Sequence, residues 1–168
     1  FYGDYIKELI KKTGLDEGPL FEKIKKWYDG YSWDGKNFVY NPFAILNLVK
    51  KGSFKNYWFA TGTPEFLINF IKKNNVNIEK FENLSVVEEF FEKYDIKNID
   101  IYNLLFQTGY LTIKEIDEDN LYHLSYPNKE VRNSLLYNLI EGFSEKNRVD
   151  AGEILKGMKQ SLLWCNLK

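Results

Sequence analysis

A glycine, four intervening residues, a second glycine and a lysine occupy residues 30–36, which is the spacing that begins a phosphate-binding loop. Such a loop also needs Ser or Thr after the lysine to hold Mg²⁺, and it must lie between a buried strand and a helix. Here Asn37 follows the lysine, and Trp33 and Asp34 put a bulky ring and a carboxylate where backbone N–H groups would wrap an anion. We therefore interpret Asp34-Gly35 as the turn of a β-hairpin.

Two Asp-x-Lys triplets, which begin at Asp34 and Asp95, have the spelling of a metal-dependent nuclease motif. In such enzymes the acids bind Mg²⁺ and the lysine orients the attacking water, on neighbouring strands. One triplet lies in the predicted turn, and no buried strand with a well-spaced acid precedes Asp95. A solvated structural role is therefore the favoured interpretation of both.

His123 and Cys165 are the single histidine and the single cysteine of the chain. An internal disulfide and a zinc site of the usual Cys/His kind are therefore excluded. Sequence order alone arranges no nucleophile, base and orienting acid around His123, and Cys165 lies in an apolar run typical of an inert buried thiol. We assign neither residue a catalytic role.

The densest group of aromatic and polar residues lies at 27–31 and 39–42. Aromatic packing and a helix cap at Asn41 explain most of it, but the tyrosines, Asp29 and Asn41 also suit the edge of a ligand site. Residues 126–132 form a second candidate, where capping is again the favoured explanation. Arg132 is one of two arginines in a lysine-rich chain, and lysine does not replace its rigid bidentate fork.

Composition limits the classes of protein that can carry these residues. The chain has 168 residues, 44% of them apolar, with 23 Lys and Arg against 24 Asp and Glu. One compact domain or two small ones is expected, and a membrane protein is excluded because no apolar run is long enough to span a bilayer. The near-neutral charge gives no overall attraction for nucleic acid. The low cysteine content fits the cytoplasm.

Hydrophobic spacing predicts a mainly α fold with small β-hairpins. Residues 1–74 form a helical subdomain with a hairpin near 31–40, and 75–98 are a connector whose apolar pairs fit a strand or a short helix. Residues 99–149 read as helix, hairpin and long helix, the order at the end of a winged-helix unit. Residues 150–168 are a helical linker.

Several sequence blocks taken together resemble the bacterial AAA-ATPase-like family, whose members typically carry a PD-(D/E)XK-type nuclease domain after the ATPase part. The resemblance covers most of the chain, and the blocks occur in order: Lys26-Trp27-Tyr28-Asp29-Gly30-Tyr31, Val39-Tyr40-Asn41-Pro42, Phe54-Lys55-Asn56-Tyr57-Trp58 with Thr61-Gly62, Gln107-Thr108-Gly109-Tyr110-Leu111-Thr112 and Pro127-Asn128-Lys129-Glu130-Val131-Arg132.

This resemblance implies that the chain is the helical lid and winged-helix-like part of such an ATPase. We expect a piece of a longer protein, since the chain begins at Phe1 rather than Met. The P-loop ATPase core would precede it and the nuclease domain would follow it. ATP and Mg²⁺ would bind in the parent protein, and neither set of catalytic motifs matches a residue here.

By analogy with related ATPases, Tyr40, Asn41 and Pro42 are the candidates for the lid edge that closes over the nucleotide base. Arg132 is the candidate sensor of the γ-phosphate. The fragment itself is expected to regulate rather than catalyse, with a hinge between Asn74 and Asn98. The alternative is a winged-helix module that binds DNA or protein, and the acidic turn at 117–119 favours protein.

Overall fold

A computed structural model of the chain describes residues 2–58, 65–92 and 100–143. These residues are mainly helical with one small antiparallel sheet, which confirms the predicted fold class at that level. None of the helices in these ranges is long and apolar enough to cross a bilayer. In chain order the elements are α1 Tyr2–Thr13, α2 Glu17–Tyr28, α3 Pro42–Lys51, α4 Glu65–Lys73, a 3₁₀ turn Ile78–Phe81, β1 Leu84–Val86, α5 Glu89–Glu92, α6 Ile101–Gln107, β2 Thr112–Ile116, β3 Tyr122–Ser125 and α7 Lys129–Phe143.

Local capping chemistry sets the bounds of α3 where the sequence predicts them. The Asn41 side chain accepts hydrogen bonds from the N–H groups of Phe43 and Ala44, and Pro42 is the first helical residue. Gly52 ends the helix with a φ of 67°, a left-handed conformation that glycine adopts without a steric penalty. The cap predicted for α4, at Thr63–Pro64, lies outside the described residues.

The first helices form a helical unit, defined here as residues 2–57. Its core consists of seven buried side chains from α1, α2, α3 and the segment after α3: Leu9, Leu20, Ile24, Tyr28, Ala44, Leu48 and Tyr57. The Tyr28 hydroxyl donates to the carbonyl of Lys55 at 2.9 Å and accepts from its N–H at 3.0 Å. This pair of bonds fixes the segment after α3 against α2.

A sheet unit, defined here as residues 65–92 and 100–143, forms around a second core. The strand order is β1-β3-β2, with both pairings antiparallel. The buried side chains come from the helices and from the segments that flank the sheet: Leu67, Ile68, Ile71, Phe81, Ile101, Leu105, Tyr110, Leu111, Tyr126, Val131, Leu135 and Leu139. The helix α4 therefore packs with α6 and α7, although it is close in sequence to the helical unit.

The connector predicted at 75–98 contains the third strand of the sheet. Leu84 pairs with Leu124 and Ser85 with His123, so β1 adds to the predicted hairpin of β2 and β3. A three-residue strand is too short to show alternation in the sequence, and only its long-range pairing defines it. Residues 93–99 of the connector and the linker at 150–168 lie outside the described residues.

The hairpin predicted at 31–40 is a loop closed by one antiparallel bridge between Tyr31 and Val39. Gly35 adopts a φ of 67° at its turn. Gly35 also packs closely on β2, because a Cβ built there would lie 3.0 Å from the Cα of Glu115. Ser32 bonds the sheet unit, whereas Asp34 Oδ1 accepts from the N–H groups of Lys36 and Asn37 within the loop.

Candidate functional site at a buried joint

The helical unit meets the sheet unit at a buried polar contact region, which we call the joint. The residues that form it are Gly30, Ser32, Trp58, Thr112, Lys114, Pro127 and Glu130. Gly30 follows α2 with a φ of 114°, and a Cβ built there would lie 2.1 Å from the Pro127 carbonyl oxygen. The backbones of the two units thus approach more closely than any side chain at position 30 allows.

Lys114 bonds both backbones at this close approach. Its Nζ donates to the Pro127 carbonyl at 2.8 Å and to the Gly30 carbonyl at 3.5 Å. Burial lowers the pKa of Lys114, and the negative charge of Asp29 opposes this shift. Lys114 therefore acts as an internal cation that holds two carbonyl groups, one from each unit.

Thr112 makes the second polar connection. Its hydroxyl oxygen accepts from the Ser32 N–H at 2.7 Å and the hydroxyl donates to the Ser32 carbonyl at 2.7 Å. Both residues are buried. One side chain at the start of β2 thereby satisfies both backbone groups of a residue that lies 80 positions earlier in the chain.

Glu130, at the start of α7, makes the third connection. Its side chain is fully buried, and Oε1 accepts a hydrogen bond from the Trp58 N–H at 2.8 Å. Burial raises the pKa of Glu130, while the N–H groups of Trp58 and Tyr57 oppose this rise. A buried carboxyl group that accepts hydrogen bonds from main-chain N–H groups fixes where the chain leaves the helical unit.

Aromatic rings enclose these polar contacts. Trp58 lies 6.4 Å from Tyr31 in an edge-to-face arrangement and 5.3 Å from Tyr110, measured between ring centroids. Gly109 packs against these rings, since a Cβ there would be in ordinary contact with both Trp58 and Tyr31 at 3.6 Å. Burial raises the pKa of Tyr31, and the nearby Asn41 side chain opposes the rise.

Some buried polar atoms around the joint have no hydrogen-bond partner among the described residues. They include Asp29 Oδ1, Asn128 Nδ2, Glu130 Oε2 and Ser134 Oγ. Such atoms are places where a water molecule or a polar group of a ligand fits. The side chains of Lys114 and Glu130 bond backbone atoms, so the arrangement is suited to holding the two units in position.

The predicted lid-edge residues lie beside the joint. Asn41 caps α3, and its N–H donates to the Tyr28 carbonyl at 3.0 Å. Tyr40 keeps 40% of its surface exposed, and Pro42 is exposed at the first turn of α3. Two of the three side chains can therefore contact a ligand without any rearrangement.

Arg132 lies on α7 and is bound elsewhere. Its Nε donates to Glu82 Oε1 at 2.6 Å in a partly exposed ion pair. In the described part of the chain no hydrogen bond joins Arg132 to Asn41. The predicted edge and the predicted sensor therefore make separate contacts: Asn41 bonds α2 and α3, and Arg132 bonds Glu82.

The loop at 30–36 does not offer its N–H groups to an anion. The Ser32 hydroxyl accepts from the Gly35 N–H at 3.0 Å, and Asp34 Oδ1 accepts from the N–H groups of Lys36 and Asn37 at 2.9 and 2.8 Å. These bonds, that from the Asn37 N–H foremost, hold the pKa of Asp34 well below its usual range. The geometry agrees with the sequence argument against a phosphate-binding loop.

Sequence reasoning missed the environment of His123. Its Nε2 lies 2.8 Å from Asp117 Oδ2, and its Nδ1 lies 3.0 Å from the Ser85 hydroxyl. Asp117 also accepts from the N–H groups of Asp119 and Leu121. Since Ser85 is exposed on the open face of a short sheet, we interpret the row as a cross-strand polar ladder. The register of β1 with β3, which the sequence does not show, is what brings these residues together.

No group of three or more His, Cys, Asp or Glu side chains in residues 2–58, 65–92 and 100–143 is arranged to hold a metal ion. The Asp-x-Lys triplet that begins at Asp95 lies outside these ranges, as does Cys165.

Four of the five sequence blocks that carry the family resemblance supply residues of the joint: Gly30 from the first, Trp58 from the third, Thr112 from the fourth, and Pro127 and Glu130 from the fifth. The second block lies beside it, since Val39 pairs with Tyr31 and the Asn41 N–H donates to the Tyr28 carbonyl. Blocks that are spread along most of the chain thus meet in one region.

Comparison with known proteins adds one relative. A protein of Azotobacter chroococcum mcd 1, described as an uncharacterized protein in the vnfD 5' region, is 38% identical over 125 residues. The matched stretch is 73% of this chain and 23% of the relative, so the chain spans about a quarter of the relative's length. No family model matches the chain, and no solved structure matches it.

Proposed function

We propose that this chain is the lid and winged-helix part of a longer AAA-ATPase-like protein of the cytoplasm, and that it responds to nucleotide without catalysing a reaction itself. The observation that carries the proposal is that four of the five resembling blocks supply residues of the joint. The relative supports a longer parent, because the chain corresponds to about a quarter of its length.

The contacts of the joint supply a physical route for such a response. Asn41, at the proposed nucleotide edge, is bonded to the end of α2, and Gly30 just after α2 lies against Pro127 before α7. A nucleotide that stacks on Tyr40 and Pro42 would therefore bias the position of α7 relative to the helical unit. The ATP and Mg²⁺ would be held mainly by the upstream ATPase core, and α7 leads toward the downstream nuclease domain.

Nucleotide affinity tests the proposed edge. In the full-length parent, Tyr40→Ala and Pro42→Ala should each weaken ATP binding, measured by calorimetry, since the base loses its stacking surface. Phe66→Ala is the matched control, because Phe66 is an exposed ring on α4 in the sheet unit. Unchanged ATP affinity in both edge variants would refute the edge.

The proposed sensor requires Arg132 to exchange Glu82 for a phosphate oxygen. Arg132→Ala should then abolish ATP hydrolysis while binding is retained. Glu82→Ala is the control, because it breaks the same ion pair and leaves the arginine free. Normal turnover in Arg132→Ala, or equal loss in both variants, would remove Arg132 from the mechanism.

A winged-helix module that binds a protein is the second candidate. It is supported by the order α6, β2, β3, α7 and by the turn between β2 and β3, where Glu118 and Asp119 are exposed. Acidic groups at that turn repel a phosphate backbone. Titration of duplex DNA at low salt should show no binding by this chain, and salt-dependent binding would favour the DNA alternative.

A further inference from the structure

An uncharged and largely apolar surface covers the end of the loop at 31–40 and one side of α3. No charged residue occurs from Asn37 to Val49, in a chain that is 28% charged. Within this run four large apolar side chains outside the proposed nucleotide edge are exposed, and we call them the apolar strip: Phe38, Val39, Phe43 and Leu46. Leu46 is the most open, with 69% of its surface exposed. Helix α3 thus buries Ala44 and Leu48 while it presents Phe43 and Leu46 to solvent.

We propose that the apolar strip is the docking surface for another segment of the same polypeptide, from the part of the protein outside these 168 residues. Exposed apolar side chains concentrated in one short uncharged stretch favour an interaction site, whereas scattered apolar residues do not. The lack of charge favours an apolar protein segment over nucleic acid. The strip also continues from the joint, because Val39 pairs with Tyr31 and Phe38 lies against Lys114.

The size of the strip favours a tethered occupant over a second copy. Four side chains that are roughly half exposed offer on the order of 400 Å². A stable association between free proteins buries about 800 Å² on each partner. A segment of the same chain needs less area, because its effective concentration is high. A relative more than four times the length of the matched stretch is consistent with such segments, since the 125 matched residues are 23% of it.

This inference rests on the proposed function in one respect only, namely that the chain belongs to a longer polypeptide. Its test uses the intact protein with a photo-crosslinking phenylalanine analogue at position 46, and a matched protein with the analogue at position 66. Phe66 is exposed to a similar extent but lies outside the strip. Mass spectrometry then identifies the peptides joined to each position.

The expected result is a several-fold higher crosslink yield from position 46 than from position 66, within one polypeptide and to a segment outside residues 1–168. Leu46→Glu should also raise the rate of limited proteolysis between this region and the rest of the protein several-fold, and Phe66→Glu should not. Crosslinks between two copies, equal yields at both positions or no crosslink from position 46 would overturn the proposal. Nucleotide affinity is measured separately, so an intramolecular crosslink in a protein that does not bind ATP would refute the proposed function alone.

Discussion

The joint and the apolar strip are neighbours in the fold and opposite in chemistry. At the joint, polar groups are buried, and Glu130 is fully enclosed. Along the strip, apolar groups face solvent, and Leu46 is the most exposed of them. Buried polar groups and exposed apolar patches are the informative exceptions to ordinary burial, and this chain places both exceptions side by side.

The difference shows how each region restricts the chain. Hydrogen bonds at the joint depend on direction and distance, so they fix one arrangement of the two units. Apolar contact at the strip has no preferred direction, and it contributes to stability only when another surface covers the strip. We therefore expect substitutions at the joint to lower the free energy of unfolding, whereas substitutions in the strip should affect association with the rest of the protein.

The largest effect should come from Gly30→Ala. The added methyl group would meet the Pro127 carbonyl oxygen at 2.1 Å, and a φ of 114° is strained for alanine. We expect a loss of about 3 kcal/mol or more in the free energy of unfolding, measured by urea denaturation.

Gly14→Ala is the control for backbone strain alone, because Gly14 has a φ of 68° and no atom within 4 Å of the position of its Cβ. Gly14→Ala should lower the free energy of unfolding by about 1 kcal/mol. Equal losses in the two variants would show that the close approach of the units does not restrict the fold.

Glu130→Ala should have the next largest effect. It removes the acceptor of the Trp58 N–H and leaves a buried donor without its partner. The expected loss is about 2 kcal/mol, and Glu130→Gln should lose less because its amide oxygen still accepts this bond. If the alanine variant matches the wild type in urea denaturation, Glu130 does not hold the joint.

The pH dependence of stability should distinguish Glu130 from the exposed carboxylates. Burial raises the pKa of Glu130 in the folded state. Its contribution to the free energy of unfolding is therefore fully present below the ordinary glutamate pKa, and it is lost as pH rises through the folded-state pKa. Backbone N–H groups lower the pKa values of Asp34 and Asp117, so their contributions are lost as pH falls. The stability advantage of wild type over Glu130→Gln should therefore decrease from acidic to neutral pH in urea titrations, and an increase would contradict the assignment.

Asn41→Ala should have an intermediate effect. It removes the side-chain acceptor of the Phe43 and Ala44 N–H groups at the start of α3. Loss of such a cap costs about 1 kcal/mol. Asn41→Asp should retain most of the stability, since aspartate also accepts at this position. Loss of the same size in both variants in thermal denaturation would assign the residue another role.

Leu46→Glu should have the smallest effect on the isolated chain. Leu46 is largely exposed, so its replacement should change the free energy of unfolding by about 0.5 kcal/mol or less. Leu48→Ala, two residues further along α3 and in the core of the helical unit, should cost about 2–5 kcal/mol in the free energy of unfolding. A large loss in Leu46→Glu would mean that the strip belongs to the core.

Sequence predicted the elements that local chemistry determines. Asn41, Pro42 and Gly52 mark both ends of α3 because caps and left-handed glycines act within a few residues. The order α6, β2, β3 and α7 could also be predicted from the sequence, because hydrophobic spacing and turn residues act locally. The strand β1 could not, because three residues carry no period and His123 lies 38 positions from its partner Ser85.

The joint could not be predicted from the sequence. The blocks that carry the resemblance contain Gly30, Trp58 and Glu130 but not Ser32 or Lys114, and three of its bonds join positions 72 to 84 residues apart. Spacing along a chain gives no measure of such distances. Tyr40 and Pro42 are candidates for a ligand edge by analogy with related ATPases, and this role stays a prediction. The ion pair of Arg132 with Glu82 was not visible, because surface charges have many possible partners in a lysine- and glutamate-rich chain.

The two bonds between Thr112 and Ser32 have a consequence for solubility. The strand β2 lies at one margin of the sheet, where unsatisfied main-chain groups act as a template for aggregation. The loop that contains Gly35 lies against this strand and is bonded to it through the Thr112 hydroxyl, so a strand from another molecule would have to displace the loop to pair along all of β2. The same contacts that orient the two units therefore also hinder edge-to-edge pairing on that side.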